Sequence, residues 1–451
     1  MSEVVDRRRP RLLARLALLC ALAAVLVLVL TGPHGLLVLL AELVGLVLMA
    51  VGAWWAITRR ALPRIAGAAL AVAAPIGVVV LAYGAEVLLL AVIGLALWLV
   101  GLGCARAALR AARPARPMPV REAPPPRRPV LIMNPRSGGG KVERFDLVRR
   151  AEELGARVVL LDTSDPSLRQ DVAELAREAV AEGADLLGVA GGDGTQALVA
   201  AVAAEHDLPF LVVSAGTRNH FAMDLGLDRA DPATCLDALR EGVELVVDLG
   251  RVGDRTFVNT VSFGAYAQIV QSPQYRDAKA ATVLDTLPDL LVGDGGTRLT
   301  AQADGHRIEA PQALLVSNNP YAAPDPVDLG RRPRLDGGVL GVLGIRVDSA
   351  AQAAELALLG ERAGGLKLLS ARQVTVHADA PEIPVAVDGE ALILPTPVVC
   401  TLRHRALRVR VPRDRPGADP AQQARAHRLD WRDVTRLALG RTGPSRTGGH
   451  S

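Results

Sequence analysis

Aromatic residues are scarce, at 3% of the chain, so the apolar half of the composition rests on Leu, Val and Ala. Four cysteines, Cys20, Cys104, Cys235 and Cys400, stand far apart with no Cys-x-x-Cys pair. That argues against a disulfide scaffold and fits free thiols in a reducing compartment. The histidines lack metal-ligand spacing. A net charge of +4 is too small to argue for a nucleic-acid partner. The most telling absence is local: residues 12–103 carry almost no charge.

Four apolar segments fill that stretch, at about 12–30, 35–57, 65–83 and 86–103. Each approaches the roughly 20 residues that cross a bilayer core. The first follows an arginine run at 7–11 and could pass for a signal peptide. Three further spans and the lack of a clean small-residue cleavage site argue against that. Arg7, Arg8, Arg9 and Arg11 precede the first span; Arg59, Arg60 and Arg64 separate the second from the third; Arg106, Arg110, Arg113 and Arg116 follow the fourth. The intervening turns carry no Lys or Arg. Basic flanks stay in the cytoplasm, so the expectation is a multi-pass cell-membrane protein with both termini and the soluble half cytoplasmic. Only Glu42 and the interfacial Glu86 are carboxylates in the spans, too few for an ion pathway, so an anchor is preferred to a transporter.

The expected organisation is a four-span transmembrane region at 1–111, a Pro/Arg-rich linker at 112–128, an α/β domain at 129–245, a β-rich domain at 246–412 and a polar tail at 413–451. The linker should be extended and held near anionic headgroups by its charge.

From Pro129, short apolar runs at 129–133, 156–161, 184–190 and 209–214 alternate with helical periodicity. Asp165 and Pro166 suit the N-cap and first position of the second helix. This βαβα order implies a parallel sheet flanked by helices, with ligands bound beyond the carboxyl ends of its strands. Four polar segments fall at those ends: NPRSGGGK (134–141), the 162–166 segment, GGDGT (191–195) and AGTRNH (215–220). Any one alone reads as turn chemistry; four on one rim argue for a site.

Glycines admit a ligand close to backbone N–H groups, and helix N-termini favour phosphate. Ser137, Thr195 and Thr217 add hydroxyl donors. Asp193 would repel an anion, so it suits Mg²⁺ positioning better than phosphate contact. The first loop is not a Walker A motif, since Val142 follows Lys141.

After residue 246 the pattern becomes a series of short strands separated by turns such as Asp304-Gly305. A β-sandwich is expected. In VAVDGEALIL (385–394), Asp388-Gly389 between alternating apolar runs signals a hairpin, and Glu390 sets a second carboxylate beside the turn. A positioned carboxylate can take the proton of a weak hydroxyl nucleophile.

NPRSGGGK, GGDGT and AGTRNHFAMDLGL, in this order and spacing, resemble the diacylglycerol kinase catalytic-domain family. That family includes bacterial lipid kinases and the related sphingosine and ceramide kinases; NAD kinases share GGDGT alone. The likeness runs from about residue 130 to 411. It implies a two-domain kinase that uses ATP and Mg²⁺ to phosphorylate a lipid hydroxyl at the bilayer, with diacylglycerol the first substrate to consider. By this resemblance Asn134, Ser137, Gly138, Thr163, Gly191, Gly192, Gly194, Thr195, Gly216, Thr217 and Asn219 line the ATP site. Asp193 and Asp336 are metal candidates. Asp388 and Glu390 activate the hydroxyl, with base and supporter not told apart. FVNTVSFGAYAQIV (257–270) resembles the family's N-x-x-x-x-G segment, which makes Asn259 and Gly264 structural or cleft residues.

Two departures stand out. His220 replaces the usual Asp of GTxND, and RLDGGVLGV (334–342) keeps Asp336 but has Gly337 and Gly341 where acidic residues are common. A structural metal site there is weakened. Two other function classes stay open: a kinase of a soluble substrate, of the NAD-kinase type, and a catalytically silent nucleotide or lipid sensor. In the tail, Arg425, Arg428, Arg432 and Arg436 mark one face of a helix, expected either on the kinase domain or on lipid headgroups. A homodimer is left open.

Overall fold

The computed structural model describes residues 8–30, 32–58, 62–84, 88–112, 118–162, 171–265, 267, 298–321, 331–346, 352, 365–418 and 431–439. The chain divides into a helical unit, Met1–Arg116 with Ser349–Leu358 and Pro420–Ser451, and a sheet unit, Pro117–Asp348 with Leu359–Asp419.

In the helical unit the apolar segments form α1 (Arg8–Leu30), α2 (Gly32–Thr58), α3 (Leu62–Gly84) and α4 (Leu88–Ala112). Pro10–Leu30, Leu62–Gly84 and Leu88–Leu109 are each long and apolar enough to cross a membrane, and α2 contributes the apolar stretch Leu40–Ala56. Large apolar side chains such as Leu22, Val29, Ile65 and Leu89 face outward, as expected of lipid-facing surface. Small residues set the contacts inside. A Cβ on Gly52 of α2 would lie 2.6 Å from the Ala71 nitrogen and the Gly67 oxygen of α3. Here the two backbones touch, a close approach that only small residues permit between helices in lipid. Gly101 of α4 meets the Ala17 carbonyl of α1 in the same way, at 3.3 Å.

The sheet unit begins inside the expected linker. β1 (Val120–Glu122) pairs antiparallel with the later strand β6, Val120 opposite Leu245. The second half of that linker is therefore part of the fold. The Arg410 guanidinium donates to the Pro124 carbonyl at 2.9 Å and Arg413 forks onto Glu122, tying it down from the sheet side.

The chain continues through β2 (Pro129–Met133), α5 (Lys141–Arg144), α6 (Leu147–Glu153), β3 (Arg157–Leu160), α7 (Val172–Ala181), β4 (Leu186–Ala190), α8 (Asp193–Glu205), β5 (Phe210–Val213) and α9 (His220–Asp224). Strands β2, β4 and β5 are buried along their whole length, as both faces of a parallel sheet must be. The described part of α7 is capped by Asp171, whose carboxylate accepts from the Ala173 and Glu174 amides; Asp165 and Pro166 lie outside the described residues.

The β-rich part supplies β6 (Gly242–Val252), β7 (Arg255–Phe257), β8 (Thr260–Gly264), β9 (Leu299–Ala303), β10 (His306–Glu309), β11 (Ala313–Asn318), β12 (Leu340–Ile345), β13 (Leu366–Ala371), β14 (Gln373–Ala378), β15 (Glu382–Val387), β16 (Glu390–Pro395) and β17 (Val398–Pro412). Two sheets result. One has eleven strands, ordered β10-β9-β14-β17-β5-β4-β2-β3 with β1, β6 and β7 at its side; the other has six, ordered β13-β12-β11-β8-β15-β16.

The larger sheet crosses the boundary expected at 245/246. The start of β17 pairs antiparallel with β14, and its end runs parallel to β5, Val409 opposite Phe210. An irregularity between Arg403 and Leu407, with Arg405 at φ 51°, lets this long strand serve both neighbours. One core lies among the parallel strands and their helices. A second, around Phe257, Phe263, Val316, Val374 and Val385, is shared between the antiparallel strands of the two sheets.

The described end of the basic tail, α10 (Trp431–Ala438), belongs to the helical unit. Val434 and Ala438 are buried in one cluster with Ala14 and Ala17 of α1 and Ala105 and Ala108 of α4. The Trp431 ring lies 5.9 Å from that of Trp98, and Arg15 donates to the Ala438 carbonyl at 3.2 Å. The partners of this described end of the tail helix are the first and fourth apolar helices, in place of the kinase domain.

Candidate active site

Parallel pairing brings the ends of β2, β4 and β5 side by side, and the loops that leave them touch. The Asn134 amide donates to the Ala190 carbonyl at 2.9 Å. A Cβ on Gly138 would collide with the Ala215 carbonyl, and one on Gly216 would lie 2.8 Å from Gly192 Cα. These glycines are needed because three loops share space that leaves no room for side chains. The expected rim therefore exists for NPRSGGGK, GGDGT and AGTRNH. Thr163, assigned to the fourth loop, lies outside the described residues.

Helix α8 starts at this rim. Its N-cap, Gly192, offers no side-chain cap, which suits a helix N-terminus that is to receive an anion. Thr217 is exposed, and Ser137 and Thr195 are half-buried. Asn219 faces inward instead. It is buried at φ 47°, its Nδ2 donates to the Gly216 carbonyl at 3.1 Å, and its Oδ1 accepts from Gln196 Nε2 at 3.3 Å. Gln196 also donates to the Gly191 carbonyl at 2.9 Å, so this buried pair braces the two glycine loops against each other. Lys141 turns away and donates to the Arg229 carbonyl at 2.8 Å; burial and the neighbouring Arg144 and Arg229 pull its pKa down.

Asp193 is buried at the start of α8. Its carboxylate accepts from the His220 amide at 3.1 Å and the Phe221 amide at 3.3 Å, the opening residues of α9. His220 serves here through its backbone, so its departure from the family pattern leaves this contact intact.

Asp388 sits at the tip of the β15–β16 hairpin, with φ 48° at Asp388 and 84° at Gly389, the two left-handed residues a tight turn requires. Its carboxylate accepts three amides: Val258 at 2.8 Å, Asn259 at 2.9 Å and Thr260 at 2.8 Å. These contacts mark the break between β7 and β8, where the Val258 and Asn259 amides turn toward Asp388. Burial, and then the negative charge of Asp193, push the Asp388 carboxyl up to about 7. The three amide bonds act in the opposite direction but do not offset this.

Glu390 differs from Asp388. Its side chain is half-exposed, 3.9 Å from Arg255, and lies over the GGDGT loop, where a Cβ on Gly194 would come within 2.5 Å of its Oε1. Asp388, held by its amides, shapes the floor, while Glu390 presents a half-exposed carboxylate at the rim.

Asp336 accepts both arms of the Arg334 guanidinium, at 2.8 and 2.7 Å. An internal cation thus already meets the charge of this expected metal candidate. Nearby, buried Asp248 accepts from the Gly338 and Arg405 amides, each at 2.7 Å, and from Asn319 Nδ2 at 3.1 Å. Among the described residues no group of three or more His, Cys, Asp or Glu side chains gathers as a metal cluster.

Several residues around the site carried no recognisable motif. Arg332 and Asp224 form an ion pair at 2.6 Å with both side chains fully buried, and Tyr321 donates to Asn259 Oδ1 at 3.0 Å. Asp224 lies within AGTRNHFAMDLGL, but nothing in that stretch points to a partner 108 residues away.

The Diacylglycerol kinase catalytic domain model matches residues 128–252. A diacylglycerol kinase of Mycobacterium tuberculosis is 28% identical over 310 residues, which cover 63% of this chain and 95% of that protein. A YegS-like lipid kinase of Xanthomonas oryzae pv. oryzae is 30% identical over 289 residues, 55% of this chain and 88% of the relative. The solved structure of a diacylglycerol kinase from Bacillus anthracis strain Sterne covers 64% of this chain and 98% of its own, at 16% identity and a TM-score of 0.45.

Proposed function

Because the chain belongs to the diacylglycerol kinase catalytic-domain family, we propose that it is a membrane-anchored, ATP-dependent lipid kinase whose acceptor is diacylglycerol and whose product is phosphatidic acid. The observation that carries this reading is the position of Glu390 over Gly194, at the uncapped N-terminus of α8. A phosphate seated on the glycine loops would have a half-exposed carboxylate beside it.

ATP binds with its phosphates on the 134–140, 191–195 and 215–217 loops, where backbone amides and the hydroxyls of Ser137, Thr195 and Thr217 are the donors. Asp193 has hard carboxylate oxygens, each with one amide partner and a lone pair to spare, and so fits Mg²⁺. Mg²⁺ bound there would neutralise charge on the transferring phosphoryl group. The lipid hydroxyl approaches from the side of the β15–β16 hairpin. Its oxygen forms the new bond to the γ-phosphorus as the bond to ADP breaks, and Glu390 takes its proton. Asp388 does not move a proton in this scheme; it holds the 258–260 segment beneath the hairpin.

The apolar helices confine this site to the bilayer, which raises the effective concentration of a lipid acceptor. Arginine flanks on alternate turns support a cytoplasmic kinase unit and cytoplasmic termini. The test is a panel of lipids in mixed micelles, with NAD as the soluble comparison, incubated with labelled ATP and Mg²⁺. Label in phosphatidic acid, lost in Glu390→Gln, supports the reading. Label in NAD, or ATP binding with no turnover on any acceptor, overturns it.

A further inference from the structure

Asp193 and Asp388 come from distant parts of the chain, yet each is held by backbone amides. The two amide-bearing segments are fastened to each other by one buried ion pair. Asp193 takes the His220 and Phe221 amides at the start of α9. The same helix ends at Asp224, whose two carboxylate oxygens accept the Arg332 amide at 3.0 Å and its Nε at 2.6 Å. Arg332 Nη1 then reaches across to three carbonyls: Val258 at 2.9 Å, Asn259 at 3.4 Å and Asn318 at 2.6 Å. The amides of Val258, Asn259 and Thr260 are the ones that hold Asp388. The 258–260 strip is thus gripped on its carbonyl side by Arg332 and on its amide side by Asp388. Tyr321 closes the arrangement, bonded to Asn259 Oδ1 with its ring 5.9 Å from the Arg332 guanidinium.

We propose that the Arg332–Asp224 pair is a positioning device that sets the separation between the phosphate-side carboxylate Asp193 and the acceptor-side hairpin bearing Asp388 and Glu390. Neither Arg332 nor Asp224 touches substrate; each acts through the backbone it holds. This inference rests on the kinase reading above. Its physical basis is that a charged guanidinium and carboxylate make stronger, more directional hydrogen bonds than neutral groups do. The guanidinium makes four such bonds, one from Nε to Asp224 and three from Nη1, of which two reach the strip and one the Asn318 carbonyl; the Arg332 amide adds a fifth hydrogen bond to Asp224. A lysine keeps the charge but has no planar fork, so it cannot serve Asp224 and three carbonyls together.

The experiment uses the full chain in mixed micelles and compares wild type with Arg332→Lys and with the charge-balanced double variant Arg332→Met/Asp224→Leu. Replacing a buried pair by apolar residues of similar volume usually preserves folding, whereas a displacement of about 1 Å at a reacting group costs on the order of 10²-fold in rate. Three quantities are read: the thermal unfolding midpoint, the ATP dissociation constant and kcat at saturating ATP and diacylglycerol. The expected result is an ATP affinity within about twofold of wild type in both variants, with kcat down by about 10²-fold in the double variant and about tenfold in Arg332→Lys. A kcat within about threefold of wild type in either folded variant overturns the inference, as does a loss of ATP affinity that parallels the loss of kcat. Should the double variant fail to fold, Arg332→Lys decides alone by the same criteria. A wild-type chain inactive on every lipid would overturn the kinase reading itself, and the inference with it.

Discussion

A Cβ placed on Gly194 would lie 2.5 Å from Oε1 of Glu390 and 2.8 Å from its Cδ. The carboxylate rests on a glycine of the first turn of α8, so the β15–β16 hairpin and the GGDGT loop meet at one contact. Gly194→Ala would push the flexible end of Glu390 aside without forcing the backbone, and alanine is the better helix former by about 0.5–1 kcal/mol. The expected outcome is an unfolding midpoint equal to or slightly above wild type, with kcat lower by about 10–10²-fold. Calorimetry and a micelle assay on the same preparation check both halves.

Glu390→Gln and Asp388→Asn should fail in different ways. Glu390 is half-exposed with one distant cation, so Glu390→Gln leaves stability unchanged while kcat drops about 10²–10⁴-fold, the range for a lost general base. Asp388→Asn turns an amide NH₂ toward backbone donors that need an acceptor, at a cost of about 1–3 kcal/mol, and lowers kcat through the displaced strip. Full turnover in Glu390→Gln would remove it from the role of base.

The Asp388 carboxyl stands at about 7 in the folded chain, against about 3.9 for an unperturbed aspartate. The folded state therefore holds the proton more tightly than the unfolded one. The stabilisation from this site is complete below about pH 4 and is lost as the pH rises through about 7. The groups facing the carboxyl are Asp193 from α8, Arg332, the Tyr321 hydroxyl and the three amides. Denaturant unfolding of wild type and Asp388→Asn at pH 5 and pH 8 should show the variant's deficit shrinking at the higher pH. Asp193→Asn removes the nearest negative charge and should move that transition to lower pH.

A Cβ built on Gly52 would lie 2.6 Å from the Gly67 oxygen, so α2 and α3 meet there main chain against main chain. Gly52→Val puts a branched side chain against main-chain atoms that cannot yield, so the helices must part. Overpacking of this kind costs about 1–3 kcal/mol. The expected outcome is a lower unfolding midpoint for the chain in micelles and, once folded, unchanged ATP affinity, because the glycine loops belong to the other unit.

The glycine loops and the apolar spans were legible in the sequence because their causes are local. A left-handed turn asks for glycine at Gly138 or Gly389 whatever surrounds it, and a bilayer asks for a run of apolar residues. What escaped detection depends on partners far along the chain. Val120 looks like part of a proline-rich linker until Leu245 supplies an edge for it to pair with. The tail of β17 joins the parallel sheet only because β5 is open beside it. Arg332, in a stretch of loop arginines, gives no sign that Asp224 and three carbonyls await it. Which of Asp388 and Glu390 meets the amides of 258–260 was equally hidden.

Helix α10 gives the protein an order of completion. Val434 and Ala438 cover alanines contributed by α1 and α4, yet they are synthesised after every residue of the kinase unit. Helix α1 is thus finished by a segment that follows the whole sheet unit along the chain. A chain halted before Trp431 would carry the whole phosphate rim and both hairpin carboxylates while leaving Ala14, Ala17, Ala105 and Ala108 uncovered. That exposed alanine surface would set such a shortened chain apart from one that carries α10.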